Sequence, residues 1–495
     1  MTPAAQHRPD PGGLLPLLAI LALALAVRVI GLSYSLWYDE IASMEFARTP
    51  LRRLWSGWMI RETNPPLYYS LLGGWTALFG DGDAAARSLS VVIGMAGVVF
   101  AYLVGRAMAG RRAGLIAAAL LALSAQHVLY SQQVRGYVLA HTAALAAILG
   151  VLLFLRETED SGPAVARRRA LMLYAAACVT ALYSHTTLVL LPLLLNAYVA
   201  WRFLAARRAR PLGAAAAEWV AANALVVLAW AWWGTLTVAQ ARNASNIGWI
   251  APPSFPYAVR MTLESYASWG FGLLQLPAAA VAAAVAGWGA WAARSRGGLM
   301  LALLAAGTPV LLFVLSRAVP VFLPRTVYFA AGAFAVLAGV GVAALPGRAA
   351  RAGVLALLVA AQVAGLAAWW PRREIEPWRA LVRDVAATDP AGVVVTLGKG
   401  PAFAIRRYCR PPDCRLRVRT IPFAATDRWA SGFPAIGPLA ERAVPELLRR
   451  EGRIATVAWV DLDAGRSVGR TGVREERPLV RYPPSASIGY AVLAR

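Results

Sequence analysis

The sequence predicts an all-α polytopic membrane protein with a small α/β domain following its last span. Three observations predict it. Apolar residues make up 59% of the 495-residue chain and mean hydropathy is +0.55, above the roughly 45–50% apolar content of soluble domains. Apolar runs of about 20 residues, long enough to cross hydrocarbon as helices, recur as far as residue 370 or so. Beyond that point charges return and helix-like and strand-like periodicities alternate.

Length and charge interruption place about eleven spans, at 13–32, 86–105, 113–130, 134–155, 170–184, 186–201, 215–238, 269–293, 298–317, 325–346 and 352–370. The first apolar run, Leu14 to Leu32, continues too far for a secretory signal and has no small-residue cleavage site after it, so it reads as a retained span. With the N-terminus in the cytoplasm, every second connection is basic. Arg106, Arg111 and Arg112 fall on that side, as do Arg156 with Arg167 to Arg169, then Arg202, Arg207, Arg208 and Arg210, then Arg294 and Arg296, and last Arg348 and Arg351. The positive-inside rule therefore gives one orientation, with the C-terminal domain extracytoplasmic. The same clustering between apolar runs accounts for the net charge of +24 and argues against nucleic-acid binding.

Two outer loops are long. The first, 33–85, carries Trp37, Tyr38, Trp55, Trp58, Tyr68, Tyr69 and Trp75, as segments at the headgroup level do, and its stretch Leu67 to Phe79 is apolar but short for a span. The second, 239–268, holds Asn243, Asn246, Pro252, Pro253 and Pro256 and reads as irregular. The chain thus divides into a membrane domain, 1–370, and an α/β domain, 371–495. In the latter, Glu376 to Ala387 and Leu439 to Arg450 read as helices, Gly392 to Leu397 and Ile454 to Val460 as strands. Cys409 and Cys414 flank a short polar segment there; they form a disulfide in an oxidising compartment or remain two thiols.

Ionisable residues at or in the membrane are costly and mark candidate sites. Asp39 and Glu40 follow the first span, where one carboxylate can act as general base and the second can position it or bind a metal. Arg135 and Arg325 stand on outer connections, against the prevailing charge pattern. A guanidinium there suits a phosphate, because its fork gives bidentate charge-assisted bonds and stays protonated. His185, at the outer turn after the fifth span, can bind a sugar, phosphate or metal, or serve as a structural hydrogen-bonder. His127 and His141 are weaker candidates. Metal-ligand spacings of the zincin or zinc-ribbon kind and phosphate-cradling glycine loops are absent.

Taken in order, these motifs resemble the GT-C fold membrane glycosyltransferases, specifically glycosyltransferase family 39 with its protein O-mannosyltransferase and lipid A aminoarabinose transferase relatives. The resemblance is carried by Trp37-Tyr38-Asp39-Glu40, Asn64-Pro65-Pro66-Leu67-Tyr68-Tyr69, Leu78-Phe79-Gly80 and Ala86-Arg87-Ser88. Tyr130 to Tyr137, Tyr183-Ser184-His185, Pro324-Arg325 with Tyr328, and Glu376-Pro377-Trp378-Arg379 continue it. Asn64 stands where the family has His or Lys, and Gln133 where it commonly has Glu, so neither position brings an ionisable group. The resemblance implies inverting transfer of a sugar from a polyprenyl-phosphate donor to an acceptor of the cell envelope (lipid, glycan or protein), at the outer face of the inner (plasma) membrane. It implies Asp39 as base assisted by Glu40, Arg135 and Arg325 with His185 on the donor phosphate, and Asn64, Tyr68, Tyr69 and Arg87 as the first-loop motif. No cofactor is required, and a divalent cation on Asp39 and Glu40 is permitted. The alternative is a transporter or flippase of a lipid-linked sugar, against which stand the outer-edge bias of the charges, the lack of an inverted repeat and the appended domain.

Overall fold

The computed structural model describes residues 14–206, 213–242, 250–267, 275–389, 391–422, 432–459, 474–481 and 488–494. Arg207, Arg208, Arg210, Asn243, Asn246, Val460 and the start of the expected eighth span, 269–274, lie outside the described residues. In chain order the helices are α1 (Leu14–Val29), α2 (Tyr38–Ala47), α3 (Leu51–Leu54), α4 (Leu67–Phe79), α5 (Asp83–Ala109), α6 (Arg111–Leu123), α7 (Ala125–Ser131), α8 (Tyr137–Glu159) and α9 (Ala164–Leu182). They continue as α10 (Leu190–Ala206), α11 (Gly213–Arg242), α12 (Phe255–Tyr266), α13 (Gln275–Ala292), α14 (Gly298–Leu315), α15 (Pro324–Val327), α16 (Ala331–Ala344) and α17 (Arg348–Trp369). Then come α18 (Trp378–Thr388), β1 (Val393–Leu397), α19 (Lys399–Tyr408), β2 (Arg417–Ile421), α20 (Val444–Glu451), β3 (Arg453–Trp459), β4 (Arg474–Arg481) and β5 (Ile488–Ala494). The chain packs as two compact units, one of Met1–Ile30, Asn64–Tyr68 and Arg87–Trp369, the other of Gly31–Thr63, Tyr69–Ala86 and Trp370–Arg495.

The helical unit is that of a multi-pass membrane protein. Among the described residues, 7 helices are long and apolar enough to cross a membrane, or 8 if the bent pair α6 and α7 is one span. Three of the expected eleven stay outside that set. Only 16 residues of α1 are described as helix, α9 opens on Arg167, Arg168 and Arg169, and α13 is built largely of Ala and Gly. The expected third span is also not straight: it breaks by 64° between α6 and α7. Where helices touch closely, small residues permit it. A Cβ on Gly341 of α16 would overlap the Val285 carbonyl of α13, and one on Gly339 would come 2.7 Å from Ala117 N of α6. Side-chain amides join α9, α10 and α11: Tyr174 Oη donates to Asn223 Oδ1 (2.8 Å), as does Asn196 Nδ2 (2.7 Å), and Trp219 Nε1 donates to Asn196 Oδ1 (2.9 Å).

The second unit is built on a five-stranded sheet of order β2-β1-β3-β5-β4, in which β1 runs parallel to β2 and β3 while β5 is antiparallel to β3 and β4. Val393, Val395, Ile421, Ile454 and Leu493 of the sheet close a core with Val444, Leu447 and Leu448 of α20. Helix α18 buries Trp378, Leu381, Val382, Val385 and Ala386, a spacing of three and four residues that lays them on one face. The first-loop segments 31–63 and 69–86 belong to this unit, and charge ties them into it. Asp83 accepts from Arg407 Nε (3.1 Å) and Nη2 (2.6 Å), from Arg379 Nη2 (2.6 Å) and from Tyr408 Oη (2.9 Å). Glu45 of α2 pairs with Arg406 (2.6 Å) and Arg48 (2.9 Å), and Arg48 also reaches Asp81 (2.8 Å). Cys409 and Cys414 form a disulfide.

Two outcomes follow from this network. The Asp83 and Arg407 side chains are only 5% and 4% exposed, so Asp83→Asn strands a buried guanidinium and should cost about 3–5 kcal/mol of this unit's stability, read by denaturant unfolding. Asp81 behaves differently because it is partly solvated. Burial alone would raise its carboxyl, but the hydrogen bond from Arg48 and the charges of Arg410, Arg407 and Arg48 outweigh burial and hold it below the ordinary carboxylate value. A carboxyl lowered in the folded state contributes stability that is complete above its unfolded value and is lost as pH falls through the lowered one. The unfolding midpoint should therefore decline on acidification through that window, by a modest amount given solvent screening, and Asp81→Asn should shrink the decline.

Candidate active site

Asp39 and Glu40 sit in the first turn of α2, where acidic side chains complement the helix dipole. The backbone N–H groups leading into a helix have no partner within it; here side chains from the C-terminal stretch supply them. Ser35 N donates to Glu374 Oε1 (3.0 Å), Leu36 N to Tyr408 Oη (2.7 Å) and Tyr38 N to Glu376 Oε2 (2.8 Å), while Trp378 Nε1 holds Glu376 Oε2 (2.7 Å). Glu40 is fully buried and its Oε2 accepts from Trp37 N (3.2 Å). It therefore shapes the start of α2. Asp39 is half-buried. Among the described residues no group of 3 or more His, Cys, Asp or Glu side chains is placed to hold a metal ion.

In the helical unit three motifs that are distant in sequence meet around Tyr137, at the start of α8. Arg135 donates to the Tyr137 hydroxyl through Nε (3.3 Å) and Nη2 (3.2 Å). Arg325, from the start of α15, lies 6.0 Å from the centre of the same ring, and His185 packs on it at 5.8 Å. The backbone is drawn tight here. A Cβ on Gly136 would stand 3.1 Å from Ser184 O and 3.2 Å from Tyr68 Cβ, which brings the first-loop motif to the same place. His185 caps the turn that follows it, accepting from Thr187 N (3.3 Å) at Nδ1. The arrangement gathers two guanidinium groups and an imidazole around one phenol, a set of donors suited to a phosphate.

The first-loop motif itself divides. Tyr68 Oη bonds Ser90 Oγ (2.7 Å), whereas Tyr69, in the other unit, donates to Glu62 Oε1 (3.1 Å) and stacks on Phe46 at 4.9 Å. Arg87 is fully buried in α5 and Asn64 is half-buried before α4.

A residue that the sequence reading passed over holds the Tyr137 cluster from behind. Arg28, fully buried near the end of α1, donates to Ala122 O (2.9 Å), a carbonyl freed where α6 breaks, and to Leu121 O (3.4 Å), which also accepts from Ser124 N (3.3 Å). Its Nη2 also donates to His127 Nδ1 (2.7 Å), which makes that nitrogen an acceptor and leaves the imidazole proton on Nε2. In return Gln132 Nε2, just past α7, donates to Arg28 O (2.8 Å) and Ile30 O (3.2 Å) at the end of α1. Rings continue the contact: His127 on His141 (4.9 Å), His141 on Tyr328 (4.7 Å), Tyr328 on Tyr130 (4.4 Å) and Tyr130 on Tyr137 (5.3 Å). The signal for Arg28 was present in the sequence, as an arginine inside an apolar run.

This architecture defines a class, the GT-C fold membrane proteins. Residues 63–233 match the family model for dolichyl-phosphate-mannose-protein mannosyltransferase. Among solved structures the fold is similar to that of ArnT from Cupriavidus metallidurans in the apo state, at 16% identity over 97% of each chain with a TM-score of 0.65. The same protein bound to undecaprenyl phosphate matches at 16% identity over 97% of each chain, with a TM-score of 0.59. AglB, the oligosaccharyltransferase of the archaeon Archaeoglobus fulgidus, in complex with an inhibitory peptide and a dolichol-phosphate, matches at 11% identity. That match covers 97% of this chain and 74% of the other, with a TM-score of 0.55. No curated protein matches.

Replacing Arg28 by Met keeps the apolar volume but leaves the Ala122 carbonyl without its donor, His127 Nδ1 without its guanidinium partner, and Leu121 O with its Ser124 bond alone. Each buried group left unsatisfied costs about 1–3 kcal/mol, so Arg28→Met should lower the thermal midpoint of the protein in detergent by several degrees, and Gln132→Leu should do the same from the opposite side.

Proposed function

We propose that this protein is a glycosyltransferase that moves a sugar from a polyprenyl-phosphate donor to a hydroxyl of a cell-envelope acceptor. The observation that carries the reading is the meeting of Arg135, Arg325 and His185 around Tyr137. Donors of this kind match the group that must leave. As the acceptor oxygen bonds to the anomeric carbon, the bond from that carbon to the phosphate oxygen breaks and its electron pair departs on the polyprenyl phosphate. Fixed cations aimed at that growing charge lower the barrier. Asp39 takes the acceptor proton as general base, Glu40 assists by keeping the start of α2 in place, and direct displacement inverts the anomeric centre. The matched family is named for a dolichyl-phosphate-mannose donor, and two of the similar structures hold undecaprenyl phosphate and dolichol-phosphate, which supports a lipid-linked donor.

The distribution of arginines along the chain supports a plasma-membrane location with the N-terminus cytoplasmic and the sheet-bearing domain extracytoplasmic. The Cys409–Cys414 disulfide suits the same side.

The test is transfer of radiolabel from polyprenyl-phosphate sugars to an envelope fraction by purified protein in nanodiscs. Asp39→Asn should reduce turnover roughly 10²–10⁴-fold with donor affinity kept, the loss expected on removing a general base. Arg135→Gln should instead weaken donor binding by roughly 10–100-fold, the worth of a charge-assisted bond. Wild-type protein that moves donor across sealed vesicles without transferring label would replace this reading with a transporter.

A further inference from the structure

A second basic site lies wholly within the sheet-bearing unit. A cavity of about 620 Å³ opens between α18, the end of α19 and the disulfide loop, within the size range of small-molecule pockets. Four arginines line it, Arg379, Arg383, Arg407 and Arg410, against two acids, Asp83 and Asp413. Asp83 already takes four hydrogen bonds from Arg407, Arg379 and Tyr408, about the full capacity of a carboxylate. The ion pairs of the outer two arginines are loose: Arg383 meets Asp384 at 3.7 Å, and Arg410 meets Asp81 at 3.5 Å, an acid it shares with Arg48. Arg407 is 4% exposed, and its Nη1 has no hydrogen-bond partner among the described residues. A buried guanidinium with an unused donor is costly and calls for an acceptor.

We infer that this cavity is a binding site for a phosphate group. Among the residues lining it, four arginines stand against two aspartates, and the acids outside the lining, Asp384 and Asp81, hold the outer arginines only loosely; a net positive lining suits the roughly −1.5 to −2 charge of a phosphate monoester near pH 7. Exposed guanidinium forks on Arg383 and Arg410 can turn from their loose partners to bidentate contact with phosphate oxygens. Val382 and Ala386 of α18 form an apolar wall, and the volume exceeds that of phosphate alone, so the ligand carries a further organic part such as a lipid headgroup or a phosphorylated sugar. Arg410 stands in the loop that the Cys409–Cys414 disulfide closes, and its Nε donates to Arg407 O (3.2 Å). None of these residues belongs to the Tyr137 cluster, and the inference does not depend on the transfer reaction.

The experiment measures binding on the full-length protein. Inorganic phosphate is titrated and followed by phosphorus NMR in phosphatidylcholine nanodiscs, and thermal midpoints are compared in nanodiscs with and without phosphatidic acid. The double variant Arg383→Gln/Arg410→Gln alters only exposed side chains, and Arg442→Gln, another exposed arginine of the same unit, controls for the loss of positive charge. Phosphate binding that weakens at least about tenfold in the double variant and holds in the control supports the site, at the strength of a charge-assisted bond. A shift with phosphatidic acid alone that vanishes in the double variant also supports it and assigns the phosphate to a lipid. Equal behaviour of wild type and double variant toward both probes, or equal losses in the double variant and in Arg442→Gln, overturns it.

Discussion

The helical unit depends on a mutual exchange of hydrogen bonds between two helix ends. In hydrocarbon, water cannot satisfy a broken helix, so every carbonyl freed by a break needs a donor from the protein. The break between α6 and α7 frees the Ala122 carbonyl, and Arg28 answers it from α1 with a further bond to Leu121 O; the end of α1 frees carbonyls at Arg28 and Ile30, and Gln132 answers those. Each end is thus closed by a side chain whose own position the other end fixes. Because Gln132 lies three residues before Arg135, the same exchange sets the segment that presents Arg135 to Tyr137. A buried arginine that looks like a liability in a membrane is here the reason that an irregular backbone can exist at depth.

What was legible in the sequence divides along physical lines. Spans α5, α8, α10, α11, α14 and α17 are recorded in uninterrupted apolar length, and the convergence of Arg135, His185 and Arg325 was foreshadowed by their placement on matching connections. The break at Ser124 was not legible, because the run from 113 to 130 contains no proline and its only glycine is far from the bend. Hydropathy reports burial but is blind to a kink that polar side chains from another helix repair. The cap made by Glu40 was hidden for a similar reason: Asp39 and Glu40 read as one acidic pair, and only the backbone geometry of α2 gives Glu40 a structural task of its own. The membership of 31–63 and 69–86 in the sheet-bearing unit rests on pairs such as Asp83 with Arg407 and Glu45 with Arg406, more than 300 residues apart in each case, and no local pattern records such pairing.

The arginines of this protein show how partner chemistry separates structure from function. Arg407 is held by the Asp83 carboxylate at Nε and Nη2 and by Asp81 O at Nη2, so it fixes the first-loop segments in their unit. Arg135 is held by the hydroxyl of Tyr137 and Arg325 by the face of the same ring. A phenol orients a guanidinium that it contacts, and its ring face attracts a cation without binding its protons. Tyr137 is therefore a common point of orientation for two arginines that come from different parts of the chain. The ring series from His127 to Tyr137 ties that point in turn to Arg28, and so to the exchange of hydrogen bonds between the end of α1 and the break after α6. Aromatic packing thus carries order from the break to the cluster, whereas the sheet-bearing unit secures its first-loop segments by ion pairs.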